Sequence, residues 1–431
     1  VGTALALAAC AAPRPTPTPR PEAPRWVAED TVPEPVGRAW PVMGTMLAIS
    51  VWDADTTRAL AAMTAARAAV FRVDTLMSVY KPRSELSAVN RRAGSDSATT
   101  ASAWTAEVLD SALAIAAASG GGLDVTVGPL VDAWGFYRHQ GAIPPRAVRD
   151  SIAPLVGWRQ VRFDRASHRV TLPRRGMRLD FGGIAKGFAL DRGIEALRAA
   201  GVTRAVVDLG GNFRVLGPPP VAPAGWMMGL KDPRDPDAVF ASVRIDSGAI
   251  GTSGDYEQFF EANGVRYSHI FDPRTREPAR GVVSVSVIAP SGILSDALSK
   301  PFYIAGPEEG CRLAARWPGV DVVWVRDSGE REEKEDDDEG LDPELVVITD
   351  GLKERLEILT EEPTDERPTT CSELLARAPH PSPLSQSHRS RTAVRRQACH
   401  PEGAAHPRVP HPSLAPDAVS EISLCILSVL N

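Results

Sequence analysis

The sequence predicts an α+β fold, and three observations carry that prediction. Strand-like and helix-like segments are mixed along the chain without the regular alternation that builds a doubly wound sheet. Glycine-bearing turns recur at Gly122, Gly182-Gly183, Gly210-Gly211 and Gly251, each a place where backbone can approach a neighbour or a ligand closely. No segment repeats at a period of about 20–50 residues, which excludes solenoids and propellers.

The elements follow in order. Met43-Gly44-Thr45 reads as a turn, and Met46 to Val51 as a strand after it. From Asp55 to Met77, Leu60, Met63, Val70, Val73 and Met77 recur near helical spacing, with Asp53 or Asp55 as the cap. A second helix runs from about Thr105 to Ala118 and stops at Gly120-Gly121-Gly122. Val161 to Leu172 reads as a hairpin around a polar turn. The helix after Lys186 uses Leu190, Ile194 and Leu197 and ends at Gly201. Ala205 to Leu216 reads as a strand broken by Gly210-Gly211. Val282 to Ala289 alternates as a strand, and Val322 to Val325 is a short apolar one.

Composition bounds the possibilities. The 431 residues carry a net charge of −6, so there is no basic footprint for nucleic acid. Glu330 to Glu339 concentrates acidity and reads as a solvated loop. The five cysteines include no Cys-x-x-Cys pair, which leaves zinc ribbons and dithiol redox motifs unsupported. Residues 1–10 end in Leu7-Ala8-Ala9-Cys10, similar to the lipobox of a bacterial lipoprotein signal peptide, in which the cysteine is lipidated. Residues 11–39 open with a Pro- and Thr-rich stretch that reads as an extended tether. A lipid on Cys10 would hold the protein to a bacterial membrane on the periplasmic or extracytoplasmic side. The folded domain is expected over residues 40–360, with a disordered tail over 361–431.

Several segments could carry chemistry. Asp180 to Asp191 packs two carboxylates, three glycines and Lys186 ahead of a helix, where amides and the helix dipole favour an anion such as phosphate. Gly122-Leu123-Asp124, Asp208-Leu-Gly-Gly-Asn212 and Gly251-Thr-Ser-Gly254 are further close-approach turns. His269 stands beside hydroxyls and a carboxylate in Tyr267-Ser-His-Ile-Phe-Asp272. Ser295 to Lys300 reads as a helix opening with Asp296 in its first turn, where a carboxylate serves as a cap or faces a ligand.

Taken in this order, these segments resemble the ApbE family of FAD:protein FMN transferases. The resemblance runs from about Val42 to Leu356 and rests on Met43-Gly44-Thr45, Met77-Ser-Val-Tyr80, Ser84-Glu85, Asn90, the Gly122 to Leu130 run, Asp180 to Asp191, Gly210-Gly-Asn212, Thr252 to Glu257, His269 to Pro273 and Asp296-Ala-Leu298. It implies a single flavin-transferase domain, T-fold-like, that moves FMN from FAD to a Thr or Ser hydroxyl of an acceptor protein and releases AMP with the help of Mg2+. The acceptor would carry an Asp-Gly-x-Ser/Thr type motif. The resemblance further implies flavin contacts at Met43, Tyr80, Gly122, Leu123, Asp124, Asp180, Lys186 and Ile270. It implies metal ligands at Gly183, Asp296, Ser299 and position 300, and a role for His269 in deprotonating the acceptor hydroxyl.

One departure stands out. The family usually has threonine where this chain has Lys300, followed here by Pro301. A protonated lysine donates hydrogen bonds and cannot ligate a hard cation. Three readings are open: Lys300 swings away and water completes the metal shell, the ammonium takes the metal's place, or the protein binds flavin, or hydrolyses FAD, without transferring it.

Overall fold

A computed structural model describes residues 34–219, 225–235, 237–328, 341–359 and 367–377. Cys10, the tether to residue 33, the acidic run from Glu330 to Glu339 and the chain from residue 378 onward lie outside the described residues.

A nine-stranded sheet organises the fold. Its strands are β1 (Val36–Val42), β2 (Thr45–Val51), β3 (Ala205–Leu209), β4 (Asn212–Leu216), β5 (Gly248–Gly254), β6 (Val282–Ala289), β7 (Asp321–Arg326), β8 (Val346–Ile348) and β9 (Thr369–Thr370). Their order across the sheet follows the chain. Neighbours are antiparallel except the last pair, β8 and β9, which run parallel.

Both faces of the sheet are covered. On one lie the helices α1 (Thr56–Met77), α2 (Ala103–Ala118), α3 (Ala185–Ala199) and α4 (Gly292–Ala314), whose Met63, Val70, Ile194 and Leu298 share a core with Leu47, Val207, Val285 and Trp324. On the other lies a three-stranded sheet of Trp226–Lys231, Val239–Ile245 and Leu356–Ile358, which packs Met228, Val243 and Ile245 on Val206, Val323 and Val325. Alternate residues of one strand thus enter two different cores, as the period of a strand requires. Double coverage also explains why all eight residues of β6 are buried, although their alternation of valine and serine suggests one wet face.

Local chemistry sets the ends of the elements. Asp55 caps α1 by accepting from the Arg58 amide at 3.0 Å. The expected broken strand at Ala205–Leu216 is a tight hairpin. Leu209 pairs with Asn212, and Gly210 and Gly211 sit at φ 61° and 80°. Two consecutive positive φ values are the type I′ turn that matches strand twist. Met43-Gly44 forms the same kind of turn between β1 and β2, at φ 53° and 75°.

Two expectations are corrected here. Asp296 does not open a helix, because α4 begins at Gly292 and its first amides are capped from α3: Asp191 accepts from Gly292 at 2.8 Å and Ile293 at 2.9 Å. The folded region also does not end near residue 360. Residues 367–377 return as β9 and a short helix α5 (Cys371–Arg377), and a disulfide joins Cys371 to Cys311 of α4. Sequence spacing could not show that pairing, because the two cysteines are 60 residues apart.

Helices α3 and α4 meet at Gly187. A Cβ there would lie 1.9 Å from the Gly292 carbonyl oxygen and 2.7 Å from the Asp296 Cβ. The nearest obstacle is backbone, so the helices themselves must part. Gly187→Ala is therefore expected to destabilise the fold by at least ~1–3 kcal/mol. An unchanged urea midpoint would show that the helices are not held this closely.

Candidate active site

The α3–α4 contact carries the centre of the site. Asp296, on the second turn of α4, is fully buried. One carboxylate oxygen accepts from the Gly187 amide at 2.9 Å, and the other from the Lys300 ammonium at 2.7 Å. Lys300 also reaches the Asp296 carbonyl at 3.1 Å. Helical spacing of four residues puts the lysine directly over the aspartate. Burial raises the Asp296 pKa, but the Lys300 and Lys186 ammonium groups and the Gly187 amide outweigh it, so the carboxyl is held below its ordinary value. Lys186, in the first turn of α3, faces Asp208, Asp296, His269 and Lys300 electrostatically. It forms no hydrogen bond or ion pair among the described residues.

The walls are built from the glycine turns. The Lys300 stem runs along Gly183, where a Cβ would lie 3.1 Å from its Cε. Pro301 packs on Gly122, where a Cβ would lie 2.8 Å from the proline Cβ. Asp180 holds its turn by accepting from the Gly182 amide at 2.7 Å, and its other oxygen accepts from the Tyr137 hydroxyl. Tyr80, 60% exposed, stands edge-on to Tyr137 at 5.7 Å, and the Arg178 guanidinium lies over the Tyr137 ring. An exposed aromatic ring beside a carboxylate turn offers a planar ligand an apolar surface to pack on. The Met43 turn adjoins the Gly210 hairpin, whose Gly210 amide donates to the Met46 carbonyl at 3.0 Å. There, burial pushes the Asp208 carboxyl up to about 6.

His269 follows the strand Val265–Ser268, beside the buried Ile270. Its Nδ1 lies 3.2 Å from the Gln258 carbonyl oxygen. A carbonyl only accepts, so Nδ1 carries the proton and Nε2 keeps its lone pair. Burial, reinforced by Lys300 and Lys186, lowers the imidazole pKa to about 4. The ring is therefore a neutral proton acceptor at pH 7.

The structure brings Lys186, Gly183, Asp296, Lys300 and His269 near one another, and Asp180 with Tyr80 forms an adjoining wall. Asp124 does not present its carboxylate to the site. Its oxygens accept from the Thr126 amide and hydroxyl at 2.8 and 2.6 Å and from the Trp158 amide at 2.9 Å, so the side chain fastens a loop. That leaves only the backbone of Gly122, Leu123 and Asp124 for a ligand. Glu85 and Asn90 are also structural. Glu85 accepts from Ser102 and Thr105 at the start of α2, and Asn90 pairs both ways with the Leu179 backbone. Tyr137 was missed by sequence reasoning. Tyr137 lies one residue past the glycine and aromatic run, with no charge or spacing to mark it. Gly251-Thr-Ser-Gly254, expected as a close-approach turn, is instead part of strand β5, and Ser253 lies on it.

The donors present do not fit a divalent cation. Both Asp296 oxygens are engaged, and the Lys300 stem lies against Gly183. The Ser299 hydroxyl donates to the Asp296 carbonyl at 2.7 Å and accepts from Ser253 at 2.7 Å. Among the described residues no group of three or more His, Cys, Asp or Glu is placed to hold a metal.

Fold and site define an α+β domain in which helix amides, two ammonium groups and a neutral imidazole face a glycine-lined, anion-directed centre. The chain belongs to the ApbE family, whose sequence model matches residues 43–324. It is 35% identical over 309 residues to a FAD:protein FMN transferase of Treponema pallidum, covering 67% of this chain and 83% of that protein. The ApbE protein of Thermotoga maritima superposes with a TM-score of 0.63 at 31% identity, covering 68% of this chain and 94% of that one. The flavin transferase ApbE of Vibrio cholerae gives 0.61 at 29% identity, with the same coverage.

Proposed function

We propose that the protein is a FAD:protein FMN transferase. The observation that carries this reading is the neutral His269, with its Nε2 lone pair free, facing the same two ammonium groups that flank Asp296. A phosphoryl transfer needs charge neutralisation at the phosphates and a place for the acceptor's proton, and this arrangement offers both. The acceptor Thr or Ser oxygen attacks the FMN phosphorus, and its proton passes to Nε2. The bond from that phosphorus to the bridging oxygen breaks, AMP leaves with the bridging oxygen, and a phosphoester joins FMN to the acceptor. Lys186 and Lys300 hold the phosphates, while Tyr80, Tyr137 and Asp180 orient the flavin. No step of this reading passes through magnesium, which would have to displace Lys300 from Asp296.

The same reading takes in the cell. Cys10 would carry a lipid, residues 11–39 would tether the domain, and the acceptor would be a secreted or membrane protein with an Asp-Gly-x-Ser/Thr type motif. The Cys311–Cys371 disulfide supports an oxidising, extracytoplasmic compartment. Cys10→Ser should then release the protein from membranes.

The decisive assay mixes purified protein, FAD and an acceptor peptide of that motif and follows AMP together with peptide mass. FMN and AMP with an unmodified peptide would mean hydrolysis, and intact FAD would mean a binder.

The pH dependence separates His269 further. A base whose pKa lies near 4 in the free protein stays active as the pH falls through 6.5, so the acid limb of kcat/KM is expected near 4. His269→Asn should lower kcat by about 100-fold or more and remove that limb. A limb at the ordinary histidine value would overturn the assignment. Stability follows the same shift: between pH 6.5 and about 4 the unfolded chain takes a proton at His269 that the folded one does not. This residue therefore weakens the fold progressively as the pH falls through that window.

A further inference from the structure

We propose that Lys300 is a built-in cation that holds the FAD pyrophosphate in place of a divalent metal, an inference that rests on the flavin-transferase reading above. The ammonium has three N–H donors. Two are used, on the Asp296 carboxylate at 2.7 Å and its carbonyl at 3.1 Å, and the third is left for a ligand oxygen.

The position of the ammonium is fixed from several sides. The stem lies against Gly183, with 3.1 Å from a Cβ there to the lysine Cε and 3.4 Å to its Cδ, so any larger residue at 183 would crowd it. Pro301 pins the same turn of α4 to the Gly122 backbone. Asp296 is held by the Gly187 amide and cannot turn away without orphaning that donor. Lys300 itself is only 17% exposed at the side chain. A cation positioned before the ligand arrives spares the ordering that a flexible surface lysine would require.

Lys300 and Lys186 both act electrostatically on Asp296 and on His269, while Glu257 also acts on Lys300 and Asp208 meets Lys186. A phosphate oxygen brought to the free N–H of Lys300 meets a cation already held in place. A divalent cation entering at Asp296 would face the Lys300 ammonium at close range and would have to break the lysine–aspartate pair. The Ser299 hydroxyl, already hydrogen-bonded on both sides, offers it little in exchange.

The test is FAD binding by the full-length protein, read by flavin fluorescence in EDTA and across a magnesium titration. Wild-type affinity should change less than about twofold between the two conditions, whereas Lys300→Met should weaken it about tenfold or more in EDTA. Riboflavin, which lacks the phosphates, should bind both proteins alike. Lys300→Thr should bind weakly in EDTA and recover with magnesium, and magnesium should raise the melting temperature of that variant but not of the wild type. Lys300→Arg keeps a cation over Asp296 and should retain most of the EDTA affinity, which guards against a methionine variant that fails to fold. Wild-type binding that collapses in EDTA and returns with magnesium would overturn the inference while leaving the transferase reading intact. EDTA-resistant binding that Lys300→Met leaves unchanged would also overturn it. No FAD binding by folded wild-type protein under any condition would overturn the transferase reading instead.

Discussion

Replacing Asp296 with alanine is expected to lower the unfolding free energy by about 3–5 kcal/mol, the cost of leaving a buried charge without its partner. Three consequences combine. The Lys300 ammonium keeps its buried position but loses its counter-charge, the Gly187 amide loses its acceptor, and the α3–α4 contact loses the group that joins them. Removing both partners avoids the first consequence. Asp296→Ala with Lys300→Met should therefore recover much of the loss, because a buried pair as a whole contributes far less than either half left alone. Urea unfolding of the two single variants and the double variant closes the cycle. Simple addition of the two single losses would mean that the pair is not coupled. Transfer activity should fall in all three, because Asp296 positions the ammonium.

The second large effect lies at the other end of α4. Reduction of the Cys311–Cys371 disulfide, or Cys371→Ser, is expected to cost up to about 4 kcal/mol from the freed 60-residue loop. The loss should appear locally first. Residues 367–377 pair with β8 only through Thr369 and Thr370 and pack Leu374 and Leu375 on the edge of the core. Without the crosslink, protease should cut there before the central sheet opens. FAD affinity should hold, since Lys300 and Cys311 stand on opposite sides of the break in α4 at Gly306, where φ is 67°. A urea midpoint that ignores reductant would show that the crosslink adds nothing to global stability.

Much of this molecule was legible in one dimension because local physics decides it. Helical spacing marks α1 and α3, the aspartate cap sets the start of α1, and paired glycines announce the two-residue turn between β3 and β4. The family motifs bring Gly183, Lys186, Asp296 and His269 into view, and the lysine at position 300 is already conspicuous as a residue of the wrong chemistry for a metal ligand.

What the sequence by itself determined is the set of turns, the amphipathic faces and the family, since each depends on neighbours a few residues away or on motif order. Only the tertiary structure decided which partners those groups find. Asp191 caps a helix about one hundred residues downstream, Asp124 turns inward to a loop, Tyr137 reaches Asp180, and Cys311 meets Cys371. Those pairings are set by how the sheet stacks its helices, and no local pattern encodes the distance between elements. The same holds for Lys300. Its charge is written in the chain, but whether that charge swings outward or lies over Asp296 depends on Gly183, Gly187 and Pro301 closing around it, and that enclosure exists only once α3 and α4 are packed.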